Sequence, residues 1–233
     1  MDLDINDKIN VIAFDADDTL WRELDNYELF EHTYCCILKQ YYSEEQAMRM
    51  LQETEKRNIP FYGYGLKSVM LSMVETLCNA NNNVVNPLCI KKIIEFGQTL
   101  MKQPVELLAG VEEVLQQLSG NYKLALATKG DLLDQQRKVE KSGLRHLFSH
   151  IEIMSYKNKD EYKQLCKKLD CSPENFLMVG NSLKSDILPV IELGGYAVHI
   201  PYHITWVEER YDEKFTHPRL FQLSDIKEVL TIL

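Results

Sequence analysis

Short apolar runs alternate with helical patterns along most of the chain. The first run, INVIAF at residues 9–14, ends in acidic residues and is typical of a buried parallel strand. Similar runs lie at residues 122–127, 176–179 and 196–200, with a weaker one at 151–154. Apolar residues at helical spacing lie between these runs: Val111, Val114, Leu115 and Leu118, then residues 132–141, then Tyr162, Leu165 and Leu169, then Ile187, Val190 and Ile191. Because strands alternate with helices, the pattern predicts an α/β fold with a doubly wound parallel sheet.

Residues 23–103 lack any convincing strand pattern. The sequence SEEQ at residues 43–46 fits a capping box, and an apolar stripe from Leu66 to Leu77 has helical spacing. Residues 81–83 have the composition of a loop. The sequence therefore predicts a core domain of residues 1–22 and 104–233, with a smaller all-helical domain at 23–103 inserted after the first strand.

Composition and charge narrow the classes of partner. The 233 residues carry a net charge of −9, which repels nucleic-acid backbones and anionic membranes. The first residues are polar and no apolar stretch approaches the roughly 20 residues that a membrane span needs. The six cysteines form no CxxC pair and no zinc-like spacing, which is typical of reduced thiols. We therefore expect a cytoplasmic protein that binds neither nucleic acid nor membranes.

An acidic motif, Asp15-Ala16-Asp17-Asp18, follows the first predicted strand. Three carboxylates in four residues repel one another unless a cation or a proton occupies the site, and oxygen ligands favour Mg²⁺. A carboxylate can attack phosphorus, and a second acid two residues later can protonate the leaving oxygen. Taken alone, the motif also fits a solvated acidic turn that caps a helix.

Polar residues follow the other predicted strands as well. A hydroxyl and a lysine beside Gly130 could bind a phosphate oxygen. A lysine after the weak run at residues 151–154 could screen the repulsion between an aspartate and a phosphate. An amide and a carboxylate after residues 176–179 could bind a metal ion. Each signal alone fits an ordinary turn or a solvated surface. Together they predict one site at the carboxyl edge of the sheet. The residues are Thr128, Lys129, Lys157 or Lys159, Asn181 and Asp186.

The motif FDADDTLW is similar to the DxDxT signature of the haloacid dehalogenase superfamily, in the branch with a helical cap inserted after the first strand. The resemblance extends over essentially the whole chain. It implies a Rossmann-like core and a Mg²⁺ cofactor, with Asp15 as the nucleophile and Asp17 as the acid and base. It also implies that Thr128 binds the phosphoryl group and that Lys157 fits the third motif better than Lys159.

The fourth motif departs from the family pattern. Family members commonly carry an acid directly after the glycine, whereas this chain has Asn181 after Gly180. The resemblance implies Asp15, Asp17, Asn181 and Asp186 as metal-binding residues, and leaves open whether Asn181 or Asp186 is the inner ligand.

The implied reaction is the hydrolysis of a small phosphorylated metabolite through an aspartyl-phosphate. A phosphomutase, a dehalogenase and a non-enzymatic phosphate-binding module are the alternatives. A dehalogenase needs no Mg²⁺ and lacks the acid two residues after the nucleophile, so Asp17 counts against it. The sequence does not decide between a monomer and a homodimer.

The stretch FYGYGLK at residues 61–67 is the strongest candidate for substrate contacts in the inserted domain. Its glycines predict a mobile loop, and we expect Tyr64 and Lys67 to contact the substrate. A helix–helix connection with buried tyrosines is the alternative. Trp21 is expected to be a packing residue, and residues 202–216 are expected to form an extended loop without an assigned role.

Overall fold

The computed structural model describes residues 5–80 and 84–233. They form two compact units, of which the first comprises the described residues of Met1–Leu24, Val105–Lys129 and Gln135–Leu233. The second unit comprises the described residues of Asp25–Pro104 together with Gly130–Asp134, a short segment that the sequence analysis placed in the core. The domain boundaries at residues 22 and 103 stay a prediction.

The first unit contains a parallel sheet, as predicted, and this sheet has six strands. Its strand order is β3-β2-β1-β4-β5-β6. The apolar runs found in the sequence correspond to the first five strands, and the sixth was not predicted. The strands are β1 (Val11–Phe14), β2 (Lys123–Lys129), β3 (His150–Met154), β4 (Phe176–Gly180), β5 (Tyr196–His199) and β6 (Leu220–Gln222).

Eight α-helices connect or follow these strands in the described part of the chain. They are α1 (Leu24–Leu38), α2 (Glu44–Tyr62), α3 (Leu66–Ala80), α4 (Pro87–Lys102), α5 (Val111–Ser119), α6 (Leu132–Ser142), α7 (Lys159–Lys168) and α8 (Leu188–Leu193). A single π-helical turn, Leu183–Ile187, directly precedes α8.

The alternation of side chains along β1 divides the core into two layers. Ile12 and Phe14 join an apolar cluster with residues of α5, whereas Val11 and Ala13 join another with residues of α7. Successive side chains of a strand point to opposite faces, so a strand covered by helices on both faces must be apolar throughout. This explains why β1 appears in the sequence as an unbroken apolar run.

The second unit is helical. Ser43 caps α2 in a capping box with Gln46, as predicted, and Asn86 caps α4 by accepting from the backbone N–H of Leu88. Apolar side chains of all four helices share one cluster that includes Phe30, Leu51 and Met73. The predicted loop at residues 81–83 lies outside the described residues. None of the helices in residues 5–80 and 84–233 is long and apolar enough to cross a membrane.

The strand order reverses beside β1. The chain runs from β1 outward through β2 to β3, and then returns to place β4 on the other side of β1. Ligands of open α/β sheets bind beyond the carboxyl ends of the strands at such a switch point. The residues that directly follow β1 and β4 therefore lie where a ligand site is expected.

Candidate active site

Asp15 is a buried carboxylate directly after β1. Its backbone N–H bonds to the carbonyl of Val179 in β4, which fixes the residue at the switch point. One carboxylate oxygen, Oδ1, accepts a short hydrogen bond from Lys157 Nζ, and the other, Oδ2, accepts from Thr19 Oγ1 at 3.1 Å. Both carboxylate oxygens are therefore oriented by neighbouring side chains.

Lys157 also donates to Asp186 Oδ1 at 2.6 Å, so one ammonium bridges two buried carboxylates. Asn158 caps α7 by accepting from the backbone N–H groups of Asp160 and Glu161, which places Lys157 just before the helix. Lys159 is the first residue of α7 and is exposed. Of the two lysines named by the sequence analysis, the structure brings Lys157 to Asp15.

The loop after β4 brings the fourth motif to the same place. Asp186 lies in the π-helical turn, and its Oδ2 accepts from the backbone N–H of Ser182 at 3.0 Å. A Cβ atom at Gly180 would lie 2.3 Å from Asp186 Oδ2, so only glycine lets this carboxylate approach the end of the strand. The Asn181 side-chain oxygen lies 3.3 Å from Thr19 Oγ1, the same hydroxyl that donates to Asp15.

The charges of this cluster do not balance. Asp15 and Asp186 share the single ammonium of Lys157, so one net negative charge remains in a buried place whenever both carboxylates are ionised. Burial raises the pKa of Asp15 to about 7, an effect that Lys157 opposes and Asp186 reinforces. Burial lowers the pKa of Lys157, but the two carboxylates outweigh it and hold that pKa well above its ordinary value.

Asp17 lies beside this cluster and is bound by three donors. Its Oδ1 accepts from Trp21 Nε1 at 2.7 Å and from Lys138 Nζ at 2.8 Å, and its Oδ2 accepts from Gln135 Nε2 at 3.0 Å. Gln135 Nε2 also donates to Thr128 Oγ1 at 2.6 Å. Trp21 is buried as expected for a packing residue, but its indole N–H additionally fixes Asp17.

The third acid of the motif has a different task. Asp18 has a left-handed backbone with φ of 62°, and its Oδ1 accepts from the backbone N–H groups of Glu23 and Leu24, where α1 begins. Burial raises its pKa to about 7. Asp18 therefore caps the start of α1, as the alternative interpretation of the acidic motif predicts, but it is buried and not solvated.

Lys129 is engaged by a segment to which the sequence analysis gave no role. Its Nζ makes a short contact with Glu209 Oε1 and lies 3.3 Å from Ser185 Oγ. Glu209 Oε2 accepts from Ser182 and Ser185 at 2.5 and 2.6 Å. Burial raises the pKa of Glu209, but Lys129 and the two hydroxyls outweigh it and hold the pKa below its ordinary value. Phosphate binding by Lys129 stays a prediction.

The two predicted substrate residues of the inserted region belong to the helical unit. Tyr64 is half-buried and lies between α2 and α3, and Lys67 Nζ is 2.7 Å from Asp131 Oδ1 of the same unit. The neighbouring Tyr62 is exposed, so the alternative of a connection with buried tyrosines is wrong for this residue. Substrate contact by Tyr64 and Lys67 stays a prediction.

Four residues of this network were missed at the level of sequence: Thr19, Gln135, Lys138 and Glu209. Thr19 is the threonine of the DxDxT signature, and Gln135 is a polar residue one helical turn before the buried Val139, so both carried a signal. Lys138 and Glu209 resemble ordinary surface charges in the sequence, and only the folded chain brings them to Asp17 and Lys129.

Known proteins are similar to this chain over most of its length. A family model described as haloacid dehalogenase-like hydrolase matches residues 9–194. A solved structure of a haloacid dehalogenase-like family hydrolase from Xanthomonas campestris is 36% identical, covers 97% of this chain and 92% of its own, and has a TM-score of 0.85.

Two more distant proteins differ in chemistry. Glyceraldehyde 3-phosphate phosphatase from Methanothermobacter thermautotrophicus is 27% identical over 119 residues, which are 48% of this chain and 53% of that protein. This chain therefore aligns with about half the length of that relative. A 2-haloacid dehalogenase from Pseudomonas syringae is 16% identical, covers 96% of this chain and 97% of its own, and has a TM-score of 0.63, so it shares the fold. The match to the family model shows that this chain belongs to the haloacid dehalogenase-like hydrolases.

Proposed function

We propose that this hydrolase is a Mg²⁺-dependent phosphatase that cleaves a small phosphate monoester through an aspartyl-phosphate on Asp15. One observation carries the proposal. A buried carboxylate at the switch point contacts a buried lysine, and a second, hydrogen-bonded carboxyl group follows two residues later. This arrangement supports Asp15 as the nucleophile, Lys157 as the charge that screens it and Asp17 as the proton donor.

The roles follow from these contacts. Lys157 and Thr19 orient the Asp15 carboxylate, and Lys157 reduces its repulsion of an approaching phosphate. Asp17 protonates the leaving oxygen while Asp15 attacks phosphorus, and then takes a proton from the water that hydrolyses the acyl-phosphate. Thr128, tied to Asp17 through Gln135, offers a hydroxyl to the phosphoryl oxygens, with Lys129 as a second candidate.

The donor set fits Mg²⁺. No group of three or more His, Cys, Asp or Glu side chains is arranged as a metal site within residues 5–80 and 84–233. The candidate set instead combines the carboxylates of Asp15 and Asp186, the amide oxygen of Asn181 and the backbone carbonyl of Asp17. All of these ligands are oxygen atoms, which Mg²⁺ prefers. Asp15 and Asp186, when ionised, also carry one negative charge more than Lys157 neutralises. When bound, Mg²⁺ would stabilise negative charge on the phosphoryl oxygens.

The surroundings of Asp17 favour phosphate over carbon–halogen chemistry. A leaving halide needs no proton, whereas an alkoxide leaving phosphorus does. A carboxyl group held by Trp21, Lys138 and Gln135 has no task in displacing a halide. The three hydrogen bonds to Asp17 therefore support a phosphatase, although dehalogenases share this fold.

The substrate is proposed to be a small phosphorylated metabolite bound with help from Tyr64 and Lys67. The curated relative acts on glyceraldehyde 3-phosphate, which makes sugar and triose phosphates the first compounds to test. The net charge of −9 disfavours nucleic-acid and membrane partners. We place the enzyme in the cytoplasm, as a monomer or a homodimer.

The decisive variant is Asp15→Asn. We expect loss of 4-nitrophenyl phosphate hydrolysis to the background, because the amide cannot form the acyl-phosphate. Asp18→Asn is the matched control, since it removes the same charge three residues away. Its amide oxygen can still accept from the backbone N–H groups of Glu23 and Leu24, so the variant should melt close to the wild type and keep its activity.

Retained activity in Asp15→Asn contradicts the assignment of the nucleophile. Treatment of the wild type with EDTA tests the other alternative. A phosphatase of the proposed kind loses activity and regains it with Mg²⁺, whereas halide release from a 2-haloacid that persists in EDTA identifies a dehalogenase.

A further inference from the structure

Helix α6 supplies two of the three side chains that hold Asp17. Lys138 Nζ contacts Oδ1 at 2.8 Å and Gln135 Nε2 contacts Oδ2 at 3.0 Å, so each carboxyl oxygen has its own donor from this helix. Trp21 adds a second donor to Oδ1 from the acidic loop itself. Together these bonds leave the carboxyl group of Asp17 in a single orientation.

Both residues of α6 have a second partner. Gln135 Nε2 donates to Thr128 Oγ1 at 2.6 Å, so one amide group ties the predicted phosphate-binding hydroxyl to Asp17. Lys138 Nζ also lies 2.8 Å from Glu23 Oε1, which fixes the ammonium between two carboxylates. The position of the Asp17 carboxyl is therefore coupled to β2 on one side and to Glu23 on the other.

The fold does not require polar side chains at these places. Gln135 is only 2% exposed and lies one helical turn before Val139, in the buried stripe of α6. The Lys138 side chain is 12% exposed. Burying an amide or an ammonium costs free energy unless its hydrogen bonds are made, and an aliphatic residue would avoid this cost. We therefore attribute the polar side chains of Gln135 and Lys138 to their hydrogen bonds with Asp17.

We propose that Lys138 and Gln135 are positioning residues that aim Asp17 at the leaving oxygen of the substrate. The proposal rests on the proposed phosphatase function. In the first step a bond forms between Asp15 and phosphorus, the bond from phosphorus to the leaving oxygen breaks, and the proton of Asp17 moves to that oxygen. In the second step Asp17 takes a proton from water, whose oxygen bonds to phosphorus and releases Asp15 and inorganic phosphate.

The dependence on the leaving group distinguishes positioning from mere support of the fold. Phenolate is a more basic leaving group than 4-nitrophenolate and depends more on protonation. A misaligned Asp17 should therefore lower kcat/KM for phenyl phosphate far more than for 4-nitrophenyl phosphate, whereas the second step is the same for both substrates. General damage to the site or to the fold slows both substrates alike.

The experiment compares Lys138→Met and Gln135→Met with the wild type on both aryl phosphates in Mg²⁺. We expect kcat/KM, which reports the first step alone, to fall by about 100-fold for phenyl phosphate and by about tenfold or less for 4-nitrophenyl phosphate, in line with typical contributions of general acids. Lys138→Arg should restore most of the activity, and Arg137→Met, which removes an exposed charge on the same helix, should resemble the wild type.

Equal losses in kcat/KM on both substrates in folded Gln135→Met and Lys138→Met overturn the positioning role and leave the phosphatase intact. If Lys138→Met fails to fold, Gln135→Met carries the same comparison. A wild type that hydrolyses neither phosphate in Mg²⁺ overturns the proposed function and this inference together.

Discussion

At the scale of the residue, the site consists of a few buried charged groups in direct contact. Lys157 lies between Asp15 and Asp186 with its side chain 2% exposed, so its ammonium is their shared counter-charge. The sequence predicted the acids from their spacing but left Lys157 and Lys159 as alternatives. The choice depended on where α7 begins, and the cap at Asn158 decides it.

The two lysines give a direct test. Lys157→Met should reduce kcat for 4-nitrophenyl phosphate by at least about 100-fold, as expected for the loss of a buried charge that stabilises the transition state. It should also destabilise the fold, because two buried carboxylates then lose their partner. Lys159→Met, two residues away and exposed, should retain both activity and stability. Steady-state kinetics and thermal melts measure the two effects, and a Lys159→Met enzyme that is the weaker of the two contradicts the assignment.

At the scale of the element, the helices of the second unit contain a buried acid outside the candidate site. Glu55 of α2 is 5% exposed, and its Oε1 has no hydrogen-bond partner among the described residues. Burial, reinforced by the charge of Glu31, raises its pKa to about 8. The folded state therefore keeps Glu55 protonated under conditions in which the unfolded chain ionises it.

This difference makes the stability of the protein depend on pH. Since the folded pKa of Glu55 lies above the unfolded value near 4.5, its contribution is complete below pH 4.5 and is lost as the pH rises through about 8. The loss is about 1.4 kcal/mol for each pH unit over that range as an upper limit. Glu55→Gln stays neutral, so its free energy of unfolding in urea should fall less between pH 5 and pH 9.

The control for this prediction lies on the same helix. Glu53 is exposed, and Glu53→Gln should keep the pH dependence of the wild type. Asp15, Asp18 and Glu31, whose pKa values are also raised by burial to about 7, should leave part of the slope in Glu55→Gln. Identical slopes for Glu55→Gln and the wild type would mean that Glu55 ionises freely in the folded protein.

The same scale shows what the sequence could predict. The first five strands were predicted from apolar runs because a strand covered on both faces is apolar at every position. β6 was missed because Leu220–Gln222 is three residues long and only partly buried, which resembles a loop. The contacts of Glu209 and Lys138 were also beyond prediction, since they join residues 80 and 121 positions apart in the chain. No local pattern records such pairs.

At the scale of the whole molecule, strand order turns separate motifs into one site. The acidic loop after β1 and the loop after β4 are about 165 residues apart in sequence, yet they flank the same switch point. Spacing predicted this arrangement, because only a parallel sheet places all these loops at one edge. The resulting cluster has an excess of negative charge, so the free energy of unfolding should depend on a bound cation.

Mg²⁺ should therefore raise the melting temperature of the wild type relative to EDTA, by more than NaCl at equal ionic strength. A free Mg²⁺ concentration of 100 times Kd stabilises the folded state by about 2.7 kcal/mol.

The variant Asn181→Asp tests where the cation binds. The side-chain oxygen of Asn181 accepts a hydrogen bond from the Thr19 hydroxyl, which also donates to Asp15. A third carboxylate there increases repulsion without metal and supplies a charged ligand with it. The variant should melt below the wild type in EDTA and gain more from Mg²⁺. A variant with an unchanged response to Mg²⁺ would place the cation away from Asn181.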